Sequence, residues 1–122
     1  MAEPGARPKV LVVEDIVLIR MTTVEMVAEI GFPTAEAGDG NEALALLRSD
    51  PDIGVLLTDL GLPGMTGRQL MEEALRIKPH LKVIIASGYG SEREAGEQSP
   101  PAAHLTKPFD IGQLRRALER EM

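Results

Sequence analysis

The sequence predicts one α/β domain in which a doubly wound parallel sheet of five strands carries helices on both faces. Short apolar runs alternate along the chain with longer segments of helical periodicity, which is the pattern of consecutive β-α-β units. Four of these runs end in polar side chains suited to chemistry, and open parallel sheets bind ligands at the carboxyl ends of their strands. The 122 residues are enough for a single domain with its own core.

Glycine and proline divide the first half of the chain into three strands and two helices. Strands are predicted at residues 9–13, 33–37 and 53–58, and helices at residues 16–30 and 41–48. Gly31 is suited to end the first helix, because glycine readily adopts the left-handed conformation common at that position. Pro33 places the second strand at a sheet edge, where its missing N–H interrupts no ladder. The core face of the second helix is expected to consist of Ala43, Leu46 and Leu47.

Turn and capping signals define the second half of the chain. Residues 61–64 form a Gly-Leu-Pro-Gly turn, and Thr66 can cap a helix that runs to about residue 78. Strands follow at residues 82–86 and 102–105, and Asp110 caps a last helix. The side chains expected to face the core are Leu70, Ala74 and Leu75 in the third helix and Ile111, Leu114 and Leu118 in the last. This succession predicts the flavodoxin-like strand order 2-1-3-4-5.

Two segments are expected to be mobile. Residues 1–8 form a tail with proline and glycine, which leaves residues 9–122 as the folded domain. Residues 88–101, between the fourth and fifth strands, contain no Leu, Ile, Val, Met or Phe, and a short helix without an apolar face is marginal in water. Gly96 costs a helix about 1 kcal/mol relative to alanine, and Pro100 and Pro101 end it. The helix that this fold places there, its fourth, is therefore expected to be short or absent.

Composition disfavours several classes of function. The formal net charge is −6 and the aromatic residues are one tyrosine and two phenylalanines, whereas nucleic-acid binding usually requires a basic surface and often stacking rings. Cysteine is absent, which excludes disulfides and cysteine nucleophiles and fits a reducing compartment. No apolar run approaches the length of a membrane span, and the start of the chain lacks a signal-peptide pattern. We expect a cytoplasmic protein that binds neither nucleic acid nor membranes.

Polar residues at the ends of four apolar runs are the strongest functional signal. They are Glu14 and Asp15, Asp59, Ser87 and Lys107. Clustered carboxylates repel one another unless a cation joins them, and an all-oxygen acidic site suits Mg²⁺. The hydroxyl and the ammonium suit an anion, so the set predicts a phosphoryl-transfer site. Each residue alone has a structural explanation as a cap, a turn residue or a solvated side chain, but their convergence on one sheet edge favours function.

The segments around these residues resemble the receiver domains of two-component response regulators. The matching segments are VLVVED at residues 10–15, LLTDLGLPGMTG at 56–67, VIIASG at 83–88 and LTKPF at 105–109. The similarity covers nearly the whole chain from Lys9, in the same order and spacing. It implies a stand-alone or hybrid-kinase receiver that takes a phosphoryl group from the phosphohistidine of a sensor histidine kinase or a histidine phosphotransfer protein.

The resemblance assigns roles to the residues of the site. Asp59 corresponds to the phosphoacceptor. Asp15 and Asp59 would bind Mg²⁺ together with the backbone carbonyl of Gly61, and Glu14 would help through a water. Lys107 would pair with the phosphoryl oxygens. Such a domain is a phosphorylation-controlled switch rather than an enzyme, because it catalyses only its own phosphorylation and dephosphorylation.

The same resemblance suggests how the switch operates. Ser87 would move to hydrogen-bond the phosphoryl group after transfer. His104 stands where the family usually carries a Tyr or Phe whose ring reports the switch, although a lone histidine is more often a packing residue. The peptide bond between Lys107 and Pro108 is expected to be cis, as receivers usually hold it.

Two other functions are compatible with parts of this pattern. A metal-dependent hydrolase or phosphatase of similar fold would also use an aspartate nucleophile. However, Gly61 occupies the position two residues after Asp59 where such an enzyme needs a second acid. A receiver that acts only as a non-phosphorylated docking module would not need the complete set of acids, hydroxyl and lysine.

The first helix has more apolar surface than one core face requires. Its core stripe is expected to be Ile16, Ile19, Met26, Val27 and Ile30. A second stripe consists of Val17, Met21, Val24 and Ala28. The last helix could cover part of the second stripe. The exposed part is expected to dock the helices of the kinase or phosphotransfer partner through Val17, Met21 and Val24.

Overall fold

The computed structural model describes residues 7–88 and 102–120 and contains the predicted parallel sheet. Its five strands are β1 (Lys9–Val13), β2 (Thr34–Ala37), β3 (Ile53–Asp59), β4 (Lys82–Ser87) and β5 (Ala102–Thr106). All neighbouring pairs are parallel, and the order β2-β1-β3-β4-β5 is the predicted one. The fold class is therefore confirmed, with β2 at an edge as Pro33 indicated.

The described residues contain four helices. They are α1 (Val17–Ile30), α2 (Gly40–Ser49), α3 (Gly67–Ile77) and a C-terminal helix (Ile111–Arg120). The prediction of a short or absent helix between β4 and β5 concerns residues 89–101, which lie outside the described part, as do residues 1–6. Arg7, the first described residue, places its guanidinium carbon 4.6 Å from the centroid of the Phe32 ring.

The sheet separates two apolar cores, because successive residues of a strand point to opposite faces. In β1, Leu11 and Val13 belong to the core that includes α2 and α3, whereas Val10 and Val12 belong to the core that includes α1 and the C-terminal helix. The strands are therefore apolar on both faces, as expected for a parallel sheet covered on both sides.

The buried faces of α2 and α3 both begin at a glycine, the first residue of each helix. The buried residues are Gly40, Ala43, Leu44 and Leu47 in α2 and Gly67, Leu70, Met71 and Ala74 in α3. Leu46 and Leu75, which were predicted to be buried, are only half-buried. The reason is that each stripe follows the spacing i, i+3, i+4, i+7 from its glycine, which places Leu46 and Leu75 at its margin.

Helix ends follow the predicted capping signals. Gly31 ends α1 with a φ of 116°, in the left-handed region. The hydroxyl of Thr66 accepts from the N–H of Gln69 at 3.1 Å, and the Gln69 side chain accepts from the N–H of Thr66 at 2.9 Å. Asp110 and Gln113 exchange the same two bonds at 2.8 Å each at the start of the C-terminal helix. Both pairs satisfy backbone N–H groups that the first helical turn leaves free.

The core face of α1 differs from the predicted one. Val27 is buried, and Met26 and Ile30 pack partly against the core, but Ile16 and Ile19 are exposed. Ile19 lines the cavity described below together with Val12 and Leu57 of the strands, and Ile16 precedes the first residue of α1 with an extended backbone. Helical periodicity predicts which residues share a face, but it does not predict how far the sheet extends beneath that face.

Candidate functional site

The carboxyl ends of β1 and β3 bring three carboxylates together. Glu14 and Asp15 form the loop after β1, and Asp59 is the last residue of β3; in the parallel register Val13 lies beside Thr58. One oxygen of each carboxylate lies within 4.8 Å of those of the other two. Glu14 is buried, Asp59 is half-buried and Asp15 is exposed. The three predicted acidic residues therefore form one cluster that is accessible from the surface.

Lys107 adds a cation to this acidic cluster from the loop after β5. Its Nζ contacts Oδ1 of Asp59 and lies 3.4 Å from Oε1 of Glu14. Burial lowers the pKa of Lys107, but the hydrogen bond and charge of Asp59, together with Glu14, outweigh burial and raise the pKa above its ordinary value. The lysine is therefore charged and joins two of the carboxylates. The peptide bond between Lys107 and Pro108 is cis, as predicted.

Lys107 alone does not neutralise three carboxylates. Burial raises the pKa of Glu14 above its ordinary value, and the hydrogen bond with Asp15 adds to this effect. The backbone N–H of Ile16, which donates to Oε2 of Glu14 at 3.2 Å, acts in the opposite direction. A cluster with excess negative charge and only oxygen ligands fits a hard divalent cation such as Mg²⁺.

Ser87, the last residue of β4, directly follows Ala86, which pairs with Asp59 in the sheet. The residue is only 2% exposed, and its Oγ has no hydrogen-bond partner within residues 7–88 and 102–120. Its carbonyl accepts a hydrogen bond from the backbone N–H of Lys107 at 2.7 Å, which ties the ends of β4 and β5 together. Buried hydroxyl groups are nearly always hydrogen-bonded, so this one is suited to an oxygen of a ligand.

The backbone of Asp59 is held by a contact that the sequence did not predict. Gly67 packs against the Asp59 carbonyl so closely that a Cβ would lie 2.3 Å from that oxygen. The N–H of Gly67 donates to the carbonyl of Leu60 at 2.7 Å, and the N–H of Leu60 donates to the carbonyl of Ala86 at 2.9 Å. Gly67 itself was the sequence feature that could have indicated this contact. It directly follows the capping residue Thr66, and glycine is a poor helix former, so its presence in the first turn of a helix suggests a close approach to another part of the backbone.

Two other predicted site residues have different surroundings. Gly61 is exposed and lies beside Asp59, since a Cβ on it would be 3.9 Å from Oδ2 of that carboxylate. His104 pairs with Ile85 in the sheet and lines a groove beside the C-terminal helix, away from the acidic cluster. Its Nδ1 is buried and has no hydrogen-bond partner in the described part of the chain. The structure thus brings Gly61 to the site but not His104.

An apolar cavity of about 580 Å³ extends from the acidic cluster along α1. Glu14, Asp59 and Lys107 line one end of it. Its apolar walls include Leu18, Ile19, Met26, Leu57 and Phe109. The cavity therefore connects the charged site with the exposed first turns of α1.

The N-terminal part of α1 exposes a patch of large apolar side chains. This α1 patch consists of Ile16, Val17, Leu18, Ile19 and Met21, with exposed fractions from 42% for Ile19 to 73% for Leu18. Of the three predicted docking residues, Val17 and Met21 belong to the patch. Val24 does not, because it packs partly against the core formed by α1 and the C-terminal helix. Val24 is half-buried, and the docking role of the three residues stays a prediction.

Comparison with known proteins identifies the family. The family model for the response regulator receiver domain matches residues 10–119. The chain belongs to the response regulator receiver family. This receiver is 32% identical to the sporulation initiation phosphotransferase F of Bacillus subtilis, over 92% of the chain and 91% of that protein. It is also 32% identical to the chemotaxis protein CheY of Pseudomonas aeruginosa, over 92% and 94% of the two chains.

Solved structures show the same architecture. A receiver domain protein from Clostridium thermocellum superposes with a TM-score of 0.87 at 25% identity, covering 94% of each chain. The chain is thus a phosphoacceptor signalling domain of two-component systems, and the hydrolase and docking-module alternatives are not favoured. Receiver domains are signalling switches that bind Mg²⁺ at an acidic pocket and interact with histidine kinases or phosphotransfer proteins.

None of the helices in the described ranges has both the length and the apolar character needed to cross a membrane.

Proposed function

We propose that Asp59 is the phosphoacceptor of this receiver, taking its phosphoryl group from the phosphohistidine of a sensor histidine kinase or a histidine phosphotransfer protein. The observation that carries the proposal is the ion pair between Asp59 and Lys107 within the cluster of three carboxylates. In the transfer, a P–O bond forms to the Asp59 carboxylate while the P–N bond of the donor breaks. The imidazole leaving group takes up a proton from water.

The acidic cluster is the proposed Mg²⁺ site. Asp15 and Asp59 would bind the ion directly with the backbone carbonyl of Gly61, and Glu14 would bind it through a water. When bound, the ion neutralises the charge that otherwise keeps a carboxylate away from a phosphoryl dianion. The cluster supports this assignment because its three carboxylates supply only oxygen ligands and lie within 4.8 Å of one another.

Lys107 and Ser87 would act on the phosphoryl group. The Nζ of Lys107, which contacts Asp59, would pair with the transferred phosphoryl oxygens and stabilise their charge. The Ser87 hydroxyl would donate a hydrogen bond to the same group after transfer. Because the N–H of Lys107 donates to the carbonyl of Ser87, a movement of Ser87 would also displace the backbone at the end of β5. His104, three residues before Lys107, stays a candidate switch residue by its position alone.

The domain itself would catalyse both its phosphorylation and the hydrolysis of the acyl phosphate, which limits the lifetime of the switched state. The proposed extent of the domain is residues 9–122, with residues 1–8 as a tail. The proposed location is the cytoplasm. No direct role with nucleic acid or membranes is proposed, since the net charge of −6 disfavours the former.

The α1 patch is the proposed docking surface for the helices of the phosphohistidine partner. Val17 and Met21 are 55% and 51% exposed, and methionine adapts well to partner surfaces. The patch continues into the cavity that leads to Asp59 and Lys107. A helix seated on the patch would therefore lie next to the phosphoacceptor, which is where the donor histidine must come.

Intact mass after incubation with Mg²⁺ and acetyl phosphate tests the assignment of Asp59. The wild-type protein should gain one phosphoryl group, Asp59→Asn should gain none, and EDTA should prevent labelling. Asp52→Asn is the matched control, because Asp52 is an exposed carboxylate next to the opposite end of β3, and it should label like the wild type. Labelling of Asp59→Asn, or labelling that persists in EDTA, would contradict the nucleophile and the metal requirement.

A further inference from the structure

Arg20, in the first turn of α1, makes two hydrogen bonds that no part of the site described so far requires. Its Nε donates to Oε1 of Glu36 at 3.0 Å, and its Nη1 donates to the backbone carbonyl of Glu14 at 2.8 Å. The side chain is only 18% exposed, whereas that of Glu36 is half exposed. The guanidinium thus links β2, at the sheet edge, to the loop that carries the acidic residues.

The surroundings of Arg20 are shaped to hold the guanidinium in this position. A Cβ on Gly38 would lie 3.2 Å from Nη1, so the absence of a side chain there leaves room for the guanidinium. The N–H of Glu14 donates to the carbonyl of Ala37 at 3.1 Å. Glu14 is therefore fixed at both backbone polar groups, its N–H by β2 and its carbonyl by Arg20.

The Glu14 carbonyl belongs to the peptide group that joins Glu14 to Asp15. The orientation of this peptide decides the directions in which the two carboxylates leave the backbone. Glu14 is buried and shares one cluster with the carboxylates of Asp15 and Asp59, so the loop has an electrostatic reason to relax away from this arrangement. The planar guanidinium donates in two fixed directions and opposes that relaxation, which a lysine ammonium cannot do equally well.

We propose that Arg20 is a positioning residue for the metal site: by holding the peptide between Glu14 and Asp15, it keeps both carboxylates turned toward Asp59. The proposal rests on the proposed Mg²⁺ site. Residues that orient metal ligands without touching the metal typically change metal affinity or activity by about 10- to 100-fold when they are replaced. Arg20 is expected to fall in that range.

Three variants and one control test the proposal. Arg20→Gln removes the positive charge and the paired guanidinium donors, whereas Arg20→Lys keeps the charge but loses the paired donors. Glu36→Gln weakens only the hydrogen bond that Nε of Arg20 donates. The control is Arg76→Gln, because Arg76 is an exposed helix arginine that pairs only loosely with Glu73, at 3.7 Å. The Kd for Mg²⁺ is measured by isothermal titration on metal-free protein, the urea midpoint is measured in EDTA, and labelling by acetyl phosphate is followed by intact mass.

Arg20→Gln should raise the Kd for Mg²⁺ by about 10- to 100-fold. Arg20→Lys should raise it less, Glu36→Gln least, and Arg76→Gln should leave it unchanged. Labelling of Arg20→Gln should recover toward the wild-type rate as the Mg²⁺ concentration is raised, because Asp59 and Lys107 are intact.

A role in folding alone would lower the urea midpoint of Arg20→Gln without changing the Kd of the folded protein, and that result would overturn the proposal. If the wild type binds Mg²⁺ and labels at Asp59 while Arg20→Gln has the wild-type Kd, the role of Arg20 fails and the proposed function stands. If the wild type neither binds Mg²⁺ nor labels, the proposed function fails, and the role of Arg20 fails with it.

Discussion

Nζ of Lys107, on the loop after β5, contacts Oδ1 of Asp59 at the end of β3. In the sheet, β4 separates these two strands, so the contact spans the strand end that carries Ser87. The three residues proposed to act on the phosphoryl group are therefore linked at one edge of the sheet. The lysine thus contacts a carboxylate that the proposed metal site includes, so we expect the two cations to compete for Asp59.

Lys107→Gln separates two expected effects of the lysine, which are stabilisation of the phosphoryl group and competition with Mg²⁺ for Asp59. Labelling by acetyl phosphate at saturating Mg²⁺ should slow by about 10²- to 10³-fold, the usual loss when a charge-stabilising donor is removed. The affinity for Mg²⁺ should stay the same or increase, because a competitor for Asp59 is gone. Intact mass and isothermal titration measure the two quantities, with Lys82→Gln at the exposed start of β4 as control. Weaker Mg²⁺ binding by Lys107→Gln would show that the lysine builds the metal site.

The raised pKa of Glu14 predicts how the metal-free protein responds to pH. The folded state holds this proton more tightly than the unfolded state, whose pKa is about 4.3. The contribution of Glu14 to stability is therefore present below that value and is lost as pH rises through the folded-state pKa. Glu14→Gln should make the metal-free protein more stable than the wild type at pH 7, but not at pH 4, and should weaken Mg²⁺ binding.

Urea unfolding in EDTA at the two pH values measures this difference. Glu25→Gln on the exposed face of α1 is the control and should behave like the wild type. A Glu14→Gln variant that is less stable than the wild type at pH 7 would mean that the carboxylate contributes more through Lys107 and Ile16 than burial costs.

Met21→Glu tests the α1 patch. A charge within the apolar docking surface should slow transfer from the cognate phosphohistidine protein by about tenfold or more, equivalent to about 1.4 kcal/mol. Labelling by acetyl phosphate should be unchanged, because Met21 does not line the acidic site. Ala45→Glu places the same charge on an exposed position of α2 and should affect neither reaction. Equal loss of both reactions in Met21→Glu would indicate a folding defect rather than a docking role.

Gly67→Ala tests the packing that holds Asp59. The added Cβ would lie 2.3 Å from the Asp59 carbonyl, so either α3 or the end of β3 must move. We expect a loss of roughly 1–3 kcal/mol in the free energy of unfolding. Gly61→Ala is the matched control, because the nearest atom that its Cβ would meet among the described residues, apart from its chain neighbours, is Oδ2 of Asp59 at 3.9 Å. Urea unfolding of both variants in EDTA decides the matter, and equal stability of the two would contradict the packing argument.

The sequence by itself determined the strands, their order and the residues at their carboxyl ends. Strands of a covered parallel sheet are apolar on both faces, so they stand out as short apolar runs. Parallel connections also force all five carboxyl ends to one edge. Glu14, Asp59 and Lys107 therefore lie at the same edge of the sheet, whatever the positions of the helices. Capping by Thr66 and Asp110 and the stop at Gly31 are local interactions, which is why they were predictable too.

Only the tertiary structure decided what depends on the placement of one element over another. Ile19 shares a helical face with Val27, yet only Val27 is buried, because Ile19 lines a cavity near the start of α1. The link from Arg20 to Glu14 and Glu36 likewise depends on how α1 lies against the edge strand. Periodicity defines a face of a helix, but distances between elements determine which part of that face is covered and which side chain reaches the site.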